Sequence, residues 1–189
     1  MAQFTNQAQL SYNNTTVSSN IAVGQLLEVL SATKTALRSS YAFGETAVYI
    51  VQLVNSGSVA YNGLTLTDDL GAYTVGTETY YPLTYTPDSL RYFINGVLQP
   101  TPTVTAGNAL TVTGITVPAG GSAAIIYETN VNAFADPAEG GSITNTVTVS
   151  GAGLMGVTAS ETIVASSAPS LSITKSISPI PVAENGRVT

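Results

Sequence analysis

Cysteine, histidine and tryptophan are absent from this 189-residue sequence, and only 8% of its residues are charged. Without thiols or imidazoles there is no disulfide stapling, no thiolate or imidazole catalysis and none of the commoner zinc sites. The five basic residues are scattered through a chain of net charge -6, so no basic patch exists to neutralise a phosphate backbone, and nucleic acid is not expected as a partner. No apolar run approaches membrane-spanning length, and "MAQFTNQAQL" lacks the charged start and apolar core of a secretory signal. If the protein acts outside the cell, a signal must have been removed or another route of release used. The acids Asp68 and Asp69 and those of "DPAEGG" lack the dense oxygen-ligand spacing of a calcium loop. "PAGGS" has no lysine or helix after it to make a phosphate loop. No metal, cofactor or enzymatic turnover is expected; any chemistry must come from carboxylates, amides, hydroxyls and two amines.

What is present is a β-forming palette. Hydrophobic residues make up 44% of the chain, and Thr, Ser, Val, Ala and Gly dominate. Period-two alternation recurs in "FTNQAQLSY", "TAVYIVQLV", "GLTLTDDL", "ALTVTGITV", "SAAIIYETNV", "ITNTVTV" and "LSITKSI". Asn95-Gly96 in "YFINGVLQ" is a type I′ hairpin signal, and "VNSGS", "PAGGS" and "PAEGGS" mark further turns. Strands broken at this spacing predict an all-β protein built as an antiparallel sandwich.

An internal repeat organises the chain. "FTNQAQLS" from Phe4 matches "ITNTVTVS" from Ile143, and "VSSNIAV" from Val17 matches "TASETIV" from Thr158. A segment of the form Ser-x-Thr-Lys follows each copy, 28 residues from Asn6 to Lys34 and 30 from Asn145 to Lys175. The frame is therefore shifted. Residues 1–25 read as the terminal hairpin of one domain, detached from its own sheet; residues 26–166 as a complete sandwich; residues 167–189 as a linker and the first strand of another copy. "ENGRVT" stops where "FGETAVYIVQLV" would enter its second strand, so the natural chain is expected to continue past Thr189. A lone hairpin is marginal in water and its edges invite pairing with another chain, here through Phe4, Ala8 and Leu10.

Alternation also places polar groups on apolar faces. Lys34 is in phase with Leu30, Ala32 and Ala36, Lys175 with Leu171, Ile173 and Ile177, and Asp68 with Leu64, Leu66 and Leu70. Asn145 shares a face with Ile143, Val147 and Val149, and Asn6 shares one with Phe4, Ala8 and Leu10, whereas Asp69 points the other way. Unpaired groups of this kind cost several kcal/mol when buried, on the order of 2–7, and desolvation favours their uncharged forms. A neutral amine is a nucleophile and a neutral carboxyl a proton donor. Attack of a lysine on an asparagine carboxamide, with an aspartate moving the proton, expels ammonia and leaves a Lys-Asn isopeptide bond. Lys34 and Asn145 are expected on adjacent strands, with Asp68 in hydrogen-bond reach of one of them.

"VQLVNSGSVAYNGLTLTDDLGAY" resembles the Asn-Thr-Gly turn and Thr-Asp-x-Leu strand of the bacterial surface repeats known as domain of unknown function eleven. "LSATKTAL" is similar to their first strand and "ITNTVTVSG" to their last pair. The resemblance covers Leu30 to Ala165 and implies an immunoglobulin-like or prealbumin-like sandwich. Related surface and pilus modules carry Lys-Asn bonds assisted by Asp or Glu, which implies Lys34, Asp68 and Asn145 here and, between subunits, Lys175 and Asn6. The chain departs from the family in having Gly71 where a proline usually follows Thr-Asp-x-Leu. The expected function is a structural homopolymer outside the cell, a fibre or stalk on a bacterial cell or spore surface, assembled head to tail by strand complementation. The alternative is an adhesin that recognises a glycan or protein through the tyrosine-bearing segment from Gly71 to Pro87.

Overall fold

In the computed structural model, which describes residues 2–26, 29–166 and 173–175, the alternation is converted into two facing sheets and a separate hairpin. The hairpin comes first. Its stem pairs β1 (Ala2–Asn6) with β4 (Ala22–Leu26), and its tip pairs β2 (Gln9–Tyr12) with β3 (Thr15–Ser18). Neither pair is hydrogen-bonded into the sandwich sheets. The sequence predicts one unbroken strand through "FTNQAQLSY", but Gln7 and Ala8 leave the ladder. Ser19 closes the gap there, its backbone N–H donating to Ala8 O at 2.8 Å and its carbonyl accepting from Gln7 Nε2 at 2.8 Å. A two-stranded ribbon without a facing layer has nothing to hold it straight.

One sandwich sheet runs in the order β13 (Val97–Gln99), β12 (Arg91–Ile94), β16 (Ser122–Val131), β7 (Thr46–Asn55), β5 (Leu30–Ala36), with β11 (Leu83–Tyr85) also on β16. The other runs β14 (Thr103–Ala106), β15 (Leu110–Val117), β8 (Tyr61–Asp68), β17 (Ser142–Gly151), β18 (Leu154–Ala165), β6 (Ser40–Tyr41). β9 (Tyr73–Val75) and β10 (Glu78–Tyr80) form a small excursion. Every pairing is antiparallel except β6 with β18. Asn95 and Gly96 join β12 to β13 with φ of 48° and 79°, as their dipeptide predicts.

Burial follows the pleat. Ala47, Tyr49, Val51, Leu53 and Asn55 of β7 are buried while Gln52 and Val54 between them are exposed, and Ile125, Tyr127 and Thr129 of β16 face the same interior. Leu64 and Leu66 of β8, Val112 and Ile115 of β15, and Val147 and Val149 of β17 meet them from the opposite sheet. At one seam of the sandwich, β18 lies alongside β5.

The segment predicted as a further strand, "LSITKSI", is described only at residues 173–175. These lie outside any strand and are exposed, Ile173 at 98%. The copy of this segment at β5 is a strand because β7 pairs with it along its whole length. Among the described residues, Ile173 to Lys175 have no such ladder.

Candidate functional site

Among the described residues, five polar or charged side chains are buried: Lys34, Asn55, Asp68, Thr129 and Asn145. Asn55 and Thr129 have ordinary structural partners. Asn55 Nδ2 donates to Val59 O at 2.8 Å and Pro118 O at 2.9 Å, and its Oδ1 accepts from Gly57 N at 2.9 Å, which clamps the turn after β7. Thr129 Oγ1 donates to Ala47 O at 3.2 Å. The other three are the residues that alternation marks as out of place.

β5 carries Lys34 inward, opposite Val51 of β7 and diagonal to Tyr49, which pairs with Tyr127 across β7 and β16. The lysine Nζ lies 4.9 Å from the centroid of the Tyr49 ring and 6.0 Å from that of Tyr127. From the opposite sheet come Asp68, at the end of β8, and Asn145 on β17. Asp68 is registered with Val147, so Asn145 stands two residues further along the same face. Lys34 Nζ donates to Asp68 Oδ2 at 2.5 Å, both side chains wholly shielded from solvent, and the Tyr127 hydroxyl donates to the same oxygen. Asp68 Oδ1 accepts from Leu70 N at 2.9 Å. The carboxylate is thus fixed by its own turn and shared by an amine and a phenol.

Asn145 is different. It is fully buried, lies against the phenols of Tyr49 and Tyr127, and neither its Oδ1 nor its Nδ2 makes a hydrogen bond. The Tyr49 hydroxyl is also unpartnered. Leaving such groups unpaired costs roughly 1–3 kcal/mol each. No other buried side-chain polar atom among the described residues is in this condition. The unsatisfied groups of the core are gathered at the one place that also holds a buried amine.

Burial pushes the Lys34 amine below its ordinary 10.5, against the opposing pull of the Asp68 charge and hydrogen bond and of the more distant Asp69 and Glu161. Burial pushes the Tyr49 phenol up, with the Asp68 charge adding to it and the Asn145 side chain opposing; Tyr127 is raised in the same way. Both phenols therefore keep their protons, while the amine is biased toward its nucleophilic form.

Lys34 and Asn145 do not occupy adjacent strands of one sheet, as the sequence predicts. They come from opposite sheets and approach the same pair of tyrosines, because the strand beside β5 at the seam is β18, the hairpin partner of β17. Asp68 is in reach of the lysine. Of the proposed intersubunit residues, Asn6, Ala8 and Leu10 lie exposed on the hairpin and Lys175 is exposed; the Phe4 side chain lies outside the described residues. The tyrosines of the 71–87 segment divide. Tyr85 is in the core, while Tyr73 and Tyr80 stack at 5.6 Å and Tyr80 tilts against Phe134 at 5.3 Å, with Tyr73 and Phe134 still exposed.

Tyr49 and Tyr127 are the members that sequence reasoning missed. A signal was available: each sits on the apolar face of its strand, and a buried phenol requires a polar partner. The turn after Asp68 explains the departure at Gly71. Leu70 and Gly71 have φ of 54° and 72°, which proline, fixed near -65°, cannot adopt. Asp69 Oδ1 accepts from Gly71 N and from Thr146 N, both at 2.9 Å, tying the turn to the residue after Asn145. A Cβ on Gly71 would come within 2.6 Å of Ile143 Cγ2. Gly71→Ala should therefore cost about 2–4 kcal/mol, from left-handed strain and overpacking together. The urea midpoint measures it; an unchanged midpoint would show that the turn is not held in this conformation.

No family model matches the chain, and no curated protein matches it significantly. Solved structures do share its fold. The N-terminal domain of the Streptococcus gordonii adhesin Sgo0707 superposes with a TM-score of 0.53 at 15% identity, covering 82% of this chain and 36% of that one. The 35 kDa C-terminal fragment of the major pilin GBS80 of Streptococcus agalactiae gives 0.51 at 13%, covering 73% and 56%. BcpA, the major pilin subunit of Bacillus cereus, gives 0.50 at 12%, covering 84% and 47%. The chain thus spans between about a third and somewhat over half of each of these proteins, and the likeness is one of fold.

Proposed function

We propose that this chain is a structural subunit of a fibre or stalk on a bacterial cell or spore surface, a sandwich module stapled internally by a bond between Lys34 and Asn145. One observation carries the reading: a buried amine bound to a buried carboxylate, and against the same two tyrosines a buried carboxamide without a partner among the protein's own groups. A core built only for stability would not keep that arrangement, since a buried ion pair is weak evidence of stability and an orphan amide is a direct cost. A covalent bond across the two sheets removes the amine's charge and changes the amide's bonding at once. Shear between the sheets would then act on a covalent bond as well as on packing. The fold shared with pilin and adhesin domains supports the surface setting. Subunits are joined head to tail through the N-terminal hairpin, whose apolar residues lie open to solvent.

Bond formation happens once per molecule and consumes its own residues, so the protein turns over no substrate. Intact-mass measurement of the folded protein should give the sequence mass less one ammonia. Digestion should yield a branched peptide joining the Lys34 and Asn145 segments. A full sequence mass in the folded protein would remove the cross-link reading.

A further inference from the structure

The cross-link reading assigns Lys34, Asp68 and Asn145 but leaves two phenols unexplained. Tyr127 donates to the Asp68 oxygen that also accepts from Lys34. Tyr49 has its ring beneath the lysine amine, lies against the Asn145 side chain, and has a hydroxyl with no acceptor. A phenol of purely structural purpose would be hydrogen-bonded, as Tyr41 is to Asp136 O at 2.6 Å and Tyr92 is to Thr116 O at 2.8 Å. The Tyr49 hydroxyl and the Asn145 carboxamide occupy one site, adjacent but outside hydrogen-bond geometry.

We propose that the Tyr49 hydroxyl is the hydrogen-bond donor that stabilises the oxyanion formed on Asn145 when Lys34 attacks, and that Tyr127 positions Asp68 to move the proton. This rests on the cross-link reading. Lys34 first passes a proton to Asp68, and the neutral Nζ then adds to Asn145 Cγ, forming the new C–N bond and pushing the carbonyl electron pair onto Oδ1, which Tyr49 caps. Asp68 gives its proton to Nδ2 and takes one from the attacking nitrogen. The C–Nδ2 bond then breaks, the carbonyl re-forms and ammonia leaves, so the only change in composition is the loss of NH3. A donor held in place before reaction, in a site shielded from solvent, contributes most where negative charge develops. The raised phenol pKa keeps its proton available throughout.

The test is a time course. Protein made by cell-free synthesis is quenched in acid at intervals, and the ammonia-depleted fraction is read by intact mass. Tyr49→Phe keeps the ring over Lys34 and removes only the donor, and it should slow the depletion by about 100-fold or more. Fluorinated tyrosines placed at position 49 should raise the rate as the phenol becomes more acidic, a trend that a packing role does not produce. Tyr127→Phe should slow the reaction without creating that dependence. Wild-type-like kinetics in Tyr49→Phe, or rates indifferent to phenol acidity, would overturn the assignment of Tyr49 while leaving the cross-link intact. Absence of ammonia loss in the wild type would overturn both.

Discussion

Asp68→Ala should leave the protein at its full sequence mass and lower its melting temperature by about 15–25 °C, at roughly 2–4 °C per kcal/mol for a chain of this size. Two losses combine. Without the carboxylate no group moves the proton from Lys34 to the departing nitrogen, so the bond does not form. By the chain-entropy estimate for cross-links, a staple closing a loop of about 110 residues contributes roughly 4.7 kcal/mol. The variant also retains a shielded amine that has lost its ion pair and the oxygen that accepts its hydrogen bond. The pH dependence separates the two effects. In the unlinked variant the Lys34 amine is held below 10.5 by burial, with the Asp68 contributions that opposed the shift removed. Between its folded pKa and 10.5 the unfolded chain binds more protons than the folded one, so stability should climb as the pH rises toward 10.5. The cross-linked wild type has no amine there and should be flat across that window. Ammonia loss in Asp68→Ala would show that the carboxylate is not the proton carrier.

The strands were legible in the sequence because both faces of the sandwich alternate strictly, and a lysine or asparagine in phase with leucines stands out against so regular a pattern. The same regularity conceals which strands are neighbours. Alternation says that Lys34, Asp68 and Asn145 point inward but not from which sheet, so it could not show that β18 rather than β17 closes the seam beside β5. The two phenols escaped notice because tyrosine is common in strands and is inconspicuous among apolar neighbours. The left-handed turn at Leu70 and Gly71 was signalled by its glycine, yet its purpose became apparent only from Asp69, which uses that turn to hold the strand carrying Asn145. At the N-terminus the repeat located the hairpin, while the break at Gln7 and Ala8 depends on the absence of a facing sheet, a tertiary fact that local sequence does not encode.

Deletion of residues 1–25 should leave a folded, cross-linked monomer that forms no fibres at any concentration at which the full chain does. The sandwich does not depend on the hairpin for backbone pairing, and its core residues lie between Leu30 and Ile163. The hairpin, by contrast, exposes Leu10, Tyr12, Val17, Ile21 and Val23, each more than half accessible. Covering a side chain of this kind is worth about 1.5–3 kcal/mol, so a neighbour that receives the ribbon gains apolar burial and a full ladder of backbone hydrogen bonds together. The repeat suggests which segment would receive it on the proposed reading. Asn6 stands to Lys175 as Asn145 stands to Lys34, and residues 173–175 lie exposed and outside any strand, with Ile173 wholly uncovered. On the proposed reading, a hairpin donated by one subunit would meet the first strand of the next as β17 and β18 meet β5 inside the domain, a heterologous contact that would propagate into a filament. If the same chemistry operates at the junction, Lys175→Ala should still polymerise by strand donation, but its fibres should fall to monomers in hot detergent that leaves wild-type fibres intact. The junction then also requires a carboxylate in the role that Asp68 plays inside the domain. Normal fibres from the truncated chain, seen by negative-stain microscopy, would show that the subunits join through another surface.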